Sequence, residues 1–126
     1  MGNAGFPVEM IQGVPVVTAP EEIDITNADR LRAALFQTAG DGLVVVDMTR
    51  TRFCDSAAIH ALVDAHKRAQ AEGGRVLLAV SGEAVPRIFE ITGIGQVLPR
   101  FGSVAEALAQ VSAVPTPPGG ISRLGG

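Results

Sequence analysis

Leu43-Val44-Val45-Val46 and Val76-Leu77-Leu78-Ala79-Val80 are unbroken apolar runs. A strand with one solvated face alternates apolar and polar residues, so runs like these mark strands covered on both faces. Each is far short of the roughly 18–20 apolar residues that a membrane helix needs. Stretches of helical periodicity precede and follow both runs. Buried strands alternating with helices lead to an α/β sandwich around a partly parallel sheet.

The rest of the chain fits that frame. Residues 6–11 and 14–19 are rich in Val and Ile, and Gln12-Gly13 between them suits a two-residue hairpin turn. Pro15 points to an edge or a strand start. Residues 20–27 read as a polar loop with three carboxylates. A first helix is expected after Thr26, with Thr26 as cap and Asp29 three residues on as a short capping box. Leu31, Ala34, Leu35 and Thr38 follow at helical spacing, and Gly40 supplies a stop. Residues 49–55 read as a loop. A second helix runs from Ser56 to about Glu72, with Ile59, Leu62, Val63 and His66 as its apolar stripe and Gly73-Gly74 as its end. A third is expected over 83–92, with Pro86 in its first turn. A short last strand is expected at 96–98. Ser103 and Glu106 form a capping box for a fourth helix over 104–112. The fold class is therefore α/β: a single domain with a mixed central sheet, opened by an N-terminal hairpin and packed with about four helices. Residues 1–5 read as a flexible start and 6–113 as the domain. Residues 114–126, with three prolines and four glycines, read as a disordered tail.

With 126 residues, 47% hydrophobic and 18% charged, the chain has material for one core. A net charge of -3 with dispersed Lys and Arg argues against a nucleic-acid partner, and five Phe offer no base-stacking platform. The single cysteine, Cys54, excludes an internal disulfide and a four-cysteine zinc site. No secretory signal is visible, so a cytoplasmic setting is expected.

The residues from Asp47 to Ala58 carry the chemistry worth weighing. They leave a buried strand and deliver Ser56 to the first turn of a helix, where backbone N–H groups lack intrahelical partners. From spacing alone, Asp55 or Ser56 is a helix cap. The helix dipole also favours negative charge there, so the fold tolerates a phosphate on Ser56. Ser56, His60 and Asp64 share one helical face and have the residue types of a hydrolase triad. Side chains stacked up one helix do not converge on a reacting atom, however, and no oxyanion hole or G-x-S-x-G elbow is present. His66, within the apolar stripe, reads as a partly buried histidine making one hydrogen bond rather than a metal ligand. No zinc set assembles. Cys54 beside a helix N-terminus has either a lowered pKa or, more simply, a core role.

Three features in order resemble the STAS domain family, and within it the bacterial anti-sigma factor antagonists. The first is Phe53-Cys54-Asp55-Ser56-Ala57-Ala58 after a buried strand. The second is the acidic stretch Glu21-Glu22-Ile23-Asp24 ahead of Thr26-Asn27-Ala28. The third is Gly73-Gly74, an apolar strand, and then the segment from Val85 to Ile94. The likeness covers about residues 8–110. Two positions depart from it: Glu21, preceded by Pro20, stands where the family has glycine, and Ala58 stands where many members have glycine.

The resemblance implies a switch rather than an enzyme. The unmodified domain binds an anti-sigma factor that is also a serine kinase, which frees the sigma factor. Phosphorylation of Ser56 ends the complex, and a metal-dependent serine phosphatase restores it. The implied contact surface comprises Ile23, Asp24, Ile25, Thr26, Asn27, Thr51, Asp55, Ser56, Ala57, Ala58 and His60. No catalytic residue, metal, cofactor, nucleic acid or membrane is expected, and the isolated domain is expected to be a monomer. A STAS scaffold without phosphorylation, and a ligand- or nucleotide-binding STAS module, remain as alternatives.

Overall fold

A computed structural model describes residues 6–39, 42–81 and 98–113. The expected third helix at 83–92, the stop at Gly40 and both terminal segments lie outside these residues. The elements are β1 (Val8–Ile11), β2 (Val14–Thr18), β3 (Glu22–Ile23), α1 (Ala28–Ala39), β4 (Leu43–Met48), β5 (Phe53–Cys54), α2 (Ser56–Ala71), β6 (Arg75–Val80), β7 (Arg100–Phe101) and α3 (Val104–Ala113). Three helices therefore stand among the described residues.

The main sheet has the order β1-β2-β4-β6-β7. Among the described residues of this sheet, only the β1–β2 pair is antiparallel. Gln12 and Gly13 both take positive φ, 54° and 80°, as a two-residue hairpin turn of matching twist requires. Pro15 sits just before the β2–β4 register begins at Val16↔Val45, where its missing N–H leaves no gap in that ladder.

Both faces of β4 and β6 are covered, as their apolar runs require. Val44, Val46, Met48, Val76, Leu78 and Val80 meet Leu31 and Leu35 of α1 and Ile59, Leu62 and Ala65 of α2. Val45, Leu77 and Ala79 point the other way, onto Ala107 and Leu108 of α3. The period of two in each strand sorts its side chains between these layers. Ser103 caps α3 as expected: its Oγ accepts from the Glu106 N–H at 3.1 Å, while the Glu106 carboxylate accepts from Gly102 at 3.0 Å. Of the short strand expected at 96–98, residues 96 and 97 lie outside the described residues, and Leu98 belongs to no strand. Leu98 is fully buried, and Arg100 and Phe101 pair with Leu78 and Ala79 instead.

His66 lies on the buried face of α2, and its Nδ1 accepts the Val76 N–H at 3.3 Å. Nε2 therefore carries the ring proton. Burial, with the nearby Arg75 charge adding, lowers its pKa below the ordinary 6.5. The unfolded chain then binds a proton that the folded one refuses. Stability from this group is full above about pH 6.5 and falls as pH drops below it, by at most ~1.4 kcal/mol per pH unit. Urea unfolding between pH 7.5 and 5 checks this. His66→Asn keeps an acceptor near Nδ1 and cannot ionise, so its slope over that range should be flatter. Equal slopes would assign the effect to other groups.

Candidate functional site

The candidate site lies where two loops meet. Sequence periodicity reads residues 20–27 and 49–55 as plain loops, but each contains a two-residue strand. β3 and β5 pair in parallel, Glu22 with Phe53 and Ile23 with Cys54. Further bonds extend the pairing: Arg52 N–H to Glu21 O at 2.7 Å, Asp55 N–H to Ile23 O at 3.1 Å, and Thr51 Oγ1 to Pro20 O at 2.8 Å. The acidic stretch and the Asp-Ser segment are thereby joined into one surface.

The β3–α1 connection is latched from within. The Asp24 carboxylate accepts from both the amide and the hydroxyl of Thr26. Asn27 Oδ1 accepts the Asp24 N–H, and its Nδ2 donates to Glu22 O, each at 2.9 Å. The bonds from Thr26 hold the Asp24 carboxyl below its ordinary pKa. This corrects the expected cap. Asn27, not Thr26, is the N-cap residue of α1, since its carbonyl accepts the Leu31 N–H at 3.0 Å. Asp29 pairs with Arg32 rather than closing a capping box.

Asp55 is the N-cap of α2, and its carboxylate accepts the Ala58 N–H at 3.0 Å. Ser56 is the first helical residue. It is exposed, and its hydroxyl has no hydrogen-bond partner among the described residues. Asp55→Ala is expected to cost ~1 kcal/mol in urea unfolding, and Asp55→Asn less, because the amide oxygen still caps.

Of the expected contact residues, Ile25, Thr26, Ser56 and His60 are exposed, and Asp24, Asn27, Asp55 and Ala57 are partly so. Ile23, Thr51 and Ala58 are buried. Their side chains hold the surface up from below and are not available to a partner. The triad geometry is absent: Asp64 pairs with Arg32 at 3.3 Å, across from α1, and no bond joins it to His60. Cys54 is buried, and that burial, with the Asp55 charge adding, pushes its thiol up to about 11, against the lowered value weighed from its position. It stays protonated at neutral pH and is a core residue.

Sequence reasoning passed over Phe53 as a surface residue, yet it is 47% exposed. The signal was Cys54: if one residue of a short strand faces inward, its neighbour faces out. Among the described residues no three His, Cys, Asp or Glu are grouped to hold a metal ion, and no helix is long and apolar enough to cross a membrane.

The STAS domain family model matches residues 6–107. The chain belongs to the STAS domain family. An anti-sigma F factor antagonist of Paenibacillus polymyxa is 21% identical over 115 residues, covering 89% of this chain and 98% of the relative. The crystal structure of an anti-sigma factor antagonist from Mycobacterium paratuberculosis superimposes with a TM-score of 0.76 at 27% identity, covering 85% of this chain and 92% of that one. The antagonist SpoIIAA, solved in its unphosphorylated form, gives 0.69 at 23% identity, with 88% and 99% covered. A structure of the Bacillus SpoIIAA in the phosphorylated form gives 0.61, also at 23% identity, with 85% and 99% covered. The same fold is found within a murine Slc26a9 anion transporter, of which the matching part is 19%.

Proposed function

We propose that this STAS domain is an anti-sigma factor antagonist switched off by phosphorylation of Ser56. The observation that carries the reading is the placement of Ser56. Its hydroxyl is exposed at the head of a capped helix, and β3–β5 pairing joins that helix start to the latched β3–α1 loop. A kinase reaches such a hydroxyl without unfolding anything. The first turn of α2 also offers the positive end of a helix dipole to an added phosphate.

The unphosphorylated surface of Asp24, Ile25, Thr26, Asn27, Asp55, Ser56, Ala57 and His60 binds an anti-sigma factor that is itself a serine kinase. Binding frees the sigma factor. A phosphate on Ser56 adds about -1.5 to -2 charges beside Asp55 and breaks the contact. A metal-dependent serine phosphatase resets it. The domain is the substrate of both enzymes and catalyses neither step.

Intact mass after incubation with candidate kinases of the same genome and ATP tests this. The natural sequence should gain one phosphate, about 80 Da, and Ser56→Ala none. Phosphorylation of the alanine variant at full rate would place the acceptor elsewhere. No mass change with any kinase, alongside retained binding, would make the domain an unswitched scaffold.

A further inference from the structure

We propose that Phe53 sets the affinity of this surface for the anti-sigma factor, by seating its ring in an apolar pocket of that partner. The inference rests on the antagonist reading and adds a contact residue to it.

Four large apolar side chains are exposed among the described residues: Val8, Met10, Ile25 and Phe53. The first two lie on β1, at the edge of the main sheet. Ile25 and Phe53 flank the joined loops. The exposure of Phe53 is fixed by register. Ile23 pairs with Cys54 and both face the core, so Glu22 and Phe53 face out together. Turning the ring inward needs a one-residue slip, which would turn Ile23 and Cys54 out.

Position supplies the occupant. Phe53 lies three residues before Ser56, within about 11 Å along even a fully extended chain. A stable protein contact buries about 800 Å² on each side, a patch roughly 30 Å across. A partner centred on Ser56 therefore covers Phe53 as well. Aromatic side chains are enriched in the cores of such patches, and a few of them carry most of the binding energy. Ser56 then supplies the switch and Phe53 the grip.

The test uses the kinase that phosphorylates Ser56 in the mass assay. Its affinity for the natural protein is compared with that for Phe53→Ala, Phe53→Gln, Phe53→Leu and Met10→Ala, each checked for folding by circular dichroism and thermal melting. Phe53→Ala and Phe53→Gln should bind about thirty-fold more weakly or worse. Phe53→Leu should recover most of that loss, and Met10→Ala should stay within about two-fold. In the kinase reaction, KM should rise for Phe53→Ala with kcat unchanged, the mark of lost uniform binding. Folded Phe53→Ala and Phe53→Gln variants that bind within about three-fold of the natural protein would overturn the inference. If Ser56→Glu still lost binding in that case, the antagonist reading would stand. If the natural protein bound no anti-sigma factor, both would fall.

Discussion

Ser56→Glu is expected to fold as stably as the natural sequence and to bind the anti-sigma factor at least about thirty-fold more weakly. The two halves of that result come from the same position. Within the domain, Ser56 is the first residue of α2 and is exposed. A carboxylate there meets water and the positive end of the helix, which favours it by ~0.3–1 kcal/mol. Within the proposed complex, the same carboxylate would be stripped of water beside Asp55. An unpaired charge held in a contact costs roughly 2–5 kcal/mol, or about 1.5–3.5 decades of affinity. Glutamate carries less charge than a phosphate, so the lower part of that range applies to the variant and the upper part to the phosphorylated protein. Ser56→Gln separates charge from bulk: it should retain most of the affinity in titration calorimetry. A glutamine variant as weak as the glutamate one would mean that size, not charge, breaks the contact.

The unbroken runs of β4 and β6 could be read directly because burial on both faces leaves a mark on every residue. The Gln12-Gly13 hairpin and both ends of α2 were equally legible, since turn and cap chemistry is local. β3 and β5 were not. Two residues cannot display a period of two, and what makes them strands is each other, some thirty positions apart in sequence. The start of α1 was misread for a related reason. Thr26 and Asn27 both suit a cap, and the bond from Asn27 to the Glu22 carbonyl, together with that from Thr26 to Asp24, decides between them. The surface of the site was therefore visible as residue types, while its sorting into exposed Ile25 and Phe53 and buried Ile23, Thr51, Cys54 and Ala58 needed the pairing.

The end of α2 gives the second large effect. Gly73 and Gly74 look interchangeable as a helix stop, yet each is glycine for a different reason. Gly73 has φ +90°, a conformation that costs an L-residue about 1–2 kcal/mol, but a Cβ there would meet nothing. Its N–H bonds Gln70 O, and the Gly74 N–H bonds Ala69 O at 2.6 Å, so the pair closes a Schellman cap. Gly74 itself is pressed against the chain: a Cβ would collide with the Gly42 carbonyl. That carbonyl also accepts the Arg75 N–H at 3.1 Å, the bond that opens the six-residue β4–β6 register. Relief would require β4 and β6 to part where their ladder begins. Gly74→Ala is therefore expected to lose ~3 kcal/mol or more, at or beyond the top of the overpacking range. Gly73→Ala should lose ~1–2 kcal/mol. Urea unfolding of the two variants side by side measures the difference. If Gly73→Ala were the more damaging, backbone strain in the cap would outweigh the close approach of the strands.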